Sequence, residues 1–235
     1  MSGMKREALH RLRSKNDAVK ILEAIRLRIT GKTTLGKVGE ALDSSPFKVL
    51  ISTILSARTK DQITEVASQR LFAGFPDVRS LSQADPKEIA QIIRPVLYHN
   101  VKGRRVVEVS RILVERLSGQ VPDTLEALME LPGVGRKTAN CVLVYGFGVP
   151  AIPVDVHVHR VSNRIGLVRT KGPDETEIEL ALIYDRKYWL DVNELFVRFG
   201  QTICKPVNPL CPVCPVNRYC NYYKFEFTAK GNHSG

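Results

Sequence analysis

The sequence contains no run approaching the roughly 18 consecutive apolar residues that a membrane-spanning helix requires, so a helical membrane protein is excluded and no membrane partner is expected. Its first residues, MSGMKREALHRLRSK, are basic but hold no apolar core ahead of a cleavage-like site. A secretory signal is therefore not expected, and the chain reads as intracellular, in cytoplasm or nucleoid. Regular alternation of apolar and polar residues is scarce, and no strand–helix–strand rhythm occurs, which argues against sandwiches, barrels and doubly wound sheets. No repeat of fixed period and no low-complexity linker breaks the chain. Cysteine is sparse, five in 235 residues, and in an intracellular protein that number does not suggest a disulfide framework. Acidic residues are also in short supply, 24 against 35 Lys and Arg, leaving a net charge of +11. Such a surplus attracts a polyanion by counterion release, and nucleic acid is the commonest such partner.

What remains reads as helix almost throughout. Val49, Leu50, Thr53 and Ile54 recur at helical spacing ahead of a break at residues 56–60. Asp61 is a good N-cap for a second helix reaching about Phe72, and Gly74, Pro76 and Asp77 then mark a turn. Asp85-Pro86 starts another helix with proline at its first position. Val107, Val109, Ile112, Leu113 and Leu117 form a helical stripe within 106–117. Val154, Val158, Val161 and Ile165 fit helical spacing better than a strand, with Asp155 as the cap. The expected fold class is all-α. Glycine and proline around Gly146–Pro150 supply the best candidate for a domain boundary. Basic residues recur as Lys5, Arg6, Arg11 and Arg13, as Arg58 and Lys60, and as Lys102, Arg104 and Arg105.

Two constellations carry chemistry. The first is residues 124–147, TLEALMELPGVGRKTANCVLVYGF. A short helix ends at Leu131-Pro132, Gly133 and Gly135 make a tight turn, and a new helix starts near Arg136. Glycines two apart let the backbone turn sharply and approach another surface, and a helix N-terminus is suited to an anion. This is the pattern of a helix-hairpin-helix, which holds a DNA backbone without reading sequence. Leu131, Gly133, Val134, Gly135 and Arg136 are thus candidate DNA contacts. In the second hairpin helix Ala139, Val142, Leu143 and Gly146 mark one face, expected to be buried. Lys137, Asn140, Cys141 and Val144 share another. Lys137 lies in the first turn, where the helix dipole disfavours an ammonium. It is a candidate amine nucleophile or simply a phosphate contact. Asp155, eighteen residues on in PVDVHVHR, is an N-cap that could also receive a proton or stabilise positive charge on a sugar. His157 and His159 read as structural or phosphate-contacting.

The second constellation is CKPVNPLCPVCPVNRYC, in which Cys204, Cys211, Cys214 and Cys220 follow at intervals of six, two and five within residues 204–220. Four thiolates can hold a tetrahedral zinc or an iron–sulfur cluster. Only one Cys-x-x-Cys knuckle occurs, where zinc ribbons usually have two. Prolines 206, 209, 212 and 215 leave little room for helix. The isolated Cys141 reads as a small buried apolar residue.

The strings LPGVGRKTAN and VDVHVHRVSNR, with the six-two-five cysteine spacing, resemble the endonuclease III family of helix-hairpin-helix DNA glycosylases over residues 40–222. The resemblance implies two helical domains with a DNA cleft between them: 40–149 as a six-helix domain, and 1–39 joined to 150–235 as the domain carrying a 4Fe–4S cluster on the four cysteines. It implies that Lys137 and Asp155 are a catalytic pair, excising damaged pyrimidines and nicking abasic sites in double-stranded DNA through a lysine Schiff base. A monomer is expected, with Lys205 and Arg218 near DNA phosphates. Arg58, where relatives usually have glutamine, and Tyr98, with Leu97 beside it in RPVLYHNVK, match residues that fill the gap left by a flipped base. His157 is a further candidate DNA contact. A mismatch or deaminated-base glycosylase and a non-catalytic DNA-binding iron–sulfur protein are the competing readings.

Overall fold

A computed structural model describes residues 13–30 and 45–228. The candidate phosphate contacts Lys5, Arg6 and Arg11 lie outside these residues. Eleven α-helices, short 3-10 and π turns, and no strands are found among the described residues. The all-α expectation holds.

The chain divides into two compact units, with the boundary between Ala151 and Ile152. One unit joins the N-terminal helix α1 (Lys15–Arg26) to everything after that boundary. The other contains α2 (Pro46–Ser56), α3 (Asp61–Gly74), α4 (Val78–Gln83), α5 (Pro86–Ile92), α6 (His99–Arg116), α7 (Leu125–Met129) and α8 (Arg136–Phe147). The first unit continues with α9 (Val156–Ile165), α10 (Pro173–Ile183) and α11 (Trp189–Thr202).

Side-chain caps set most of the helix starts. The hydroxyl of Ser45 accepts from the Lys48 amide and Pro46 occupies the first turn of α2. Asp77 and Ser80 form a reciprocal capping box at α4, and Asp85 caps α5 ahead of Pro86. Each such cap is worth about 1 kcal/mol. Asp61 departs from its expected place: Lys60 is the N-cap and Asp61 falls in the first turn of α3. There the carboxylate still meets the positive end of the helix dipole. The helix read at 106–117 begins earlier, at His99. Its polar first turns hide the start from any apolar stripe.

In the middle unit, α2 is apolar nearly all round and buries Phe47, Val49, Leu50, Ile51, Ile54 and Leu55. It packs against α8, the most extensive helix pairing among the described residues. Gly146 of α8 makes this possible, because a Cβ there would lie 2.9 Å from the Pro46 Cα. Burial on α8 extends beyond the face expected to be buried. Ala139, Val142 and Leu143 are buried as expected, but Asn140, Cys141 and Val144 on the other face are buried too. In the other unit a separate core gathers Ile21, Leu22 and Ile25 of α1 with Val158, Val161, Phe196 and Phe199. The hydroxyl of Tyr184 donates to the carbonyl of Ala18 at 3.0 Å, tying α1 to the residues that follow α10.

Candidate active site and cysteine loop

The hairpin runs from α7 through Gly133 into α8. Thr124 caps α7 through the Ala127 amide. Leu131 and Val134 are 4% and 5% exposed. Their side chains anchor the turn in the core, so contact with a partner would fall to the backbone. Gly133 and Gly135 are exposed and Arg136 is half-buried. Gly133 has φ +77°, a left-handed conformation that disfavours other residues. A Cβ at Gly133 would also overlap the Arg105 side chain, which lies against the turn from α6. Gly135 is the N-cap of α8 and contributes no side-chain cap. Lys137, half-buried, occupies the second position of that helix.

Two further candidates meet in the same unit. Arg58, Tyr98, Arg105 and Gly133 line one open cavity with Lys102. Arg58 and Tyr98 both adopt left-handed backbone conformations, φ 55° and 60°. Such conformations are uncommon in residues with a Cβ and signal local strain. Both side chains are exposed, as is Leu97 at 49%, which is not the core residue its apolarity suggests. Lys102 is the opposite case. It is 7% exposed, and Nζ donates to the carbonyls of Leu55 and Ala57 at 2.7 and 2.5 Å and to Thr59 Oγ1 at 3.0 Å. Burial pushes its ammonium down to about 8. A lysine with that value invites a nucleophilic role, but its three donors are spent on its own chain.

In the other unit Asp155 is the N-cap of α9. Its Oδ1 accepts from the amides of His157 and Val158 at 2.8 and 2.9 Å, and Oδ2 accepts no hydrogen bond among the described residues. Oδ1 fixes the side chain at the start of the helix. Two arginines on α9 then hold the cysteine loop. Arg160 donates to the carbonyls of Gly200 and Cys204 at 2.9 and 3.1 Å, and to His157 Nδ1 at 3.1 Å. Arg164 donates to the carbonyls of Lys205 and Pro206 at 2.7 and 3.0 Å and lies 4.4 Å from the centre of the Tyr222 ring. His157 is half-buried, with its Cβ packed so closely that a Cβ on Gly200 would lie 2.9 Å away. Its neighbour His159 meets Thr176 Oγ1 at 2.7 Å. Neither Arg160 nor Arg164 was visible from local motif alone; their spacing of four, on the helix that follows Asp155, was the available signal.

Cys204, Cys211, Cys214 and Cys220 line one apolar cavity with Ile165 and Phe199. Short 3-10 turns over Cys211–Val213 and Asn217–Tyr219 are the only helical pieces in this loop. Burial pushes the Cys214 thiol up to about 12 and that of Cys220 to about 11, and neighbouring cysteines add to both effects. Burial and Cys204 raise Cys211 as well. Such thiols have to be compensated by a cation to ionise. Among the described residues, no three His, Cys, Asp or Glu side chains gather closely enough for a single metal ion. Cys141 is 1% exposed and remote in sequence, a core residue as expected.

A helical protein with a glycine hairpin leading into a lysine-bearing helix, and a four-cysteine loop, is of the helix-hairpin-helix repair class. The model of the HhH-GPD superfamily of base excision DNA repair proteins matches residues 51–185, and the chain belongs to that superfamily. Within it the chain is similar to endonuclease III. The Thermotoga maritima endonuclease III is 48% identical over 182 residues, covering 77% of this chain and 85% of that protein. A trapped endonuclease III–DNA covalent intermediate, an estranged-adenine complex, superposes with TM-score 0.80 at 31% identity over 91% of this chain and 98% of the other. A non-covalent endonuclease III–DNA complex gives TM-score 0.81 at 30% identity, covering 92% and 100%.

Proposed function

We propose that the protein is a bifunctional DNA glycosylase and abasic-site lyase acting on oxidised or reduced pyrimidines in duplex DNA, as a monomer. The observation that carries this reading is Lys137 at the start of α8, immediately after a left-handed glycine turn that presents backbone rather than side chain. The hairpin holds the phosphate backbone, and Lys137 supplies the amine.

In the proposed reaction the Lys137 Nζ lone pair forms a bond to C1′ of the damaged nucleotide. The C1′–N glycosidic bond breaks and its electron pair leaves with the base, which takes up a proton. Opening of the sugar ring gives a protonated Schiff base at C1′. Loss of a C2′ proton then expels the 3′ phosphate by β-elimination, and water releases the unsaturated sugar and restores the amine. Oδ2 of Asp155 receives the proton from Lys137 and offsets positive charge on the sugar. Its place is fixed because Oδ1 is engaged with two amides. Arg58 and Tyr98 enter the duplex where the flipped base has left, and the exposed hairpin glycines with Arg136 contact phosphates. His157 lies close behind Asp155 and acts through Arg160 on the cysteine loop.

The four cysteines would hold a 4Fe–4S cluster. The fit rests on four sulfurs lining one apolar cavity. When bound, such a cluster would supply a cross-link for a loop too short to build its own core. Lys205 and Arg218 on that loop would meet DNA phosphates.

The test is incubation of the purified protein with duplexes carrying an oxidised pyrimidine or an abasic site. The expected product is a strand nicked 3′ to the site and ending in an unsaturated aldehyde. Base release without a nick would indicate a monofunctional enzyme, and binding without either product would indicate a non-catalytic module.

A further inference from the structure

Lys102 is a buried ammonium without a carboxylate. No ion pair joins it to a carboxylate among the described residues. Burying an ammonium is costly unless every donor is satisfied, and here the three donors meet three oxygens. Those oxygens belong to one short segment, Leu55, Ala57 and Thr59. The segment is the C-terminal end of α2, whose carbonyls are left without helical partners. It ends at Ala57 with no glycine, and the chain turns instead through Arg58 in the left-handed region. A cation at this end also meets the negative pole of the helix.

The helix that carries Lys102 is capped one turn earlier by Tyr98, itself left-handed. Arg58 and Tyr98 open onto the same cavity, and Lys102 lies between the turns that present them. We propose that Lys102 is a positioning residue that fixes the Arg58 turn to the start of α6, so that Arg58 and Tyr98 enter the duplex as one unit. This inference rests on the proposed base-flipping function. Lys102 does not touch substrate. It converts two strained single residues into a preorganised pair, which lowers the ordering cost of binding.

The experiment compares wild type, Lys102→Met, Lys102→Gln, Arg58→Ala and the Lys102→Met/Arg58→Ala double variant on an abasic site in duplex and in single-stranded DNA. A single strand leaves no gap to fill and no base pair to open. Lys102→Met is expected to lower kcat/KM on the duplex by about tenfold or more, and on the single strand by less than about twofold. Lys102→Gln, which keeps two donors, should recover part of the duplex loss. In the Arg58→Ala background Lys102→Met should have little further effect, since the two act through one turn. Fluorescence of 2-aminopurine opposite the abasic site should rise on binding of wild type and much less with Lys102→Met. Equal losses on both substrates, or additive losses in the double variant, would overturn the proposal. If Lys102→Met does not fold, Lys102→Gln carries the same duplex-to-single-strand comparison. A wild type that cuts neither substrate would refute the proposed function itself, whereas cutting with an unchanged duplex preference in both Lys102 variants refutes only this inference.

Discussion

The two helices that carry the proposed catalytic pair begin in opposite ways. At α8 the N-cap is Gly135, which has no side chain, and the first turn carries Arg136 and Lys137. At α9 the N-cap is Asp155, whose carboxylate accepts two amides of the first turn. The first start is built against the helix dipole and the second with it. A helix that places cations where anions are favoured is poised for an anionic partner. A helix that caps itself holds its carboxylate still. The difference gives separate handles on each.

The largest effect is expected from Lys137→Ala, which should reduce nicking of abasic DNA by about 10³-fold or more while leaving duplex binding largely intact. Gel-based cleavage with a parallel binding titration checks it. Asp155→Asn keeps a capping oxygen and should lower turnover by about 10²-fold or more with little change in thermal stability. Asp155→Ala should lose the same turnover and in addition about 1 kcal/mol of stability, read from denaturant unfolding. If both Asp155 variants keep wild-type turnover and differ only in stability, Asp155 is a cap and nothing more. Gly133→Ala should weaken duplex affinity and stability together, because it strains the backbone and displaces Arg105.

The smallest effect concerns pH. The Lys102 ammonium is pushed down to about 8 from an ordinary 10.5. Between these values the unfolded chain holds a proton that the folded chain has released, so unfolding free energy should rise with pH across that window. Lys102→Met should flatten that slope. Denaturant titrations at about pH 8.5 and 10, each about half a unit inside an end of the window, measure it.

Much of this comparison was legible in the sequence. The hairpin string placed the glycine turn, and Asp155 read as an N-cap because its short carboxylate precedes a helical stripe. The all-helical class followed from apolar spacing. The start of α6 was hidden, since His99, Asn100, Arg104 and Arg105 make its first turns polar. The burial of Asn140 was also hidden, because a polar amide gives no local sign of burial, whereas Cys141 reads as a small buried residue. Lys102 was read among basic residues suited to DNA, and only three-dimensional packing shows its ammonium turned inward onto the end of α2. Arg160 and Arg164 were similarly silent, because their partners are backbone carbonyls forty or so residues away.

The central claim is that Lys137, rather than any other lysine, forms the covalent bond. Borohydride reduction during reaction with an abasic duplex, followed by protease digestion and mass spectrometry, locates the adduct directly. A nucleotide-derived mass on the peptide containing Lys137, absent from Lys137→Ala, is the predicted result. An adduct on the peptide containing Lys102, or one that persists unchanged in Lys137→Ala, would contradict it.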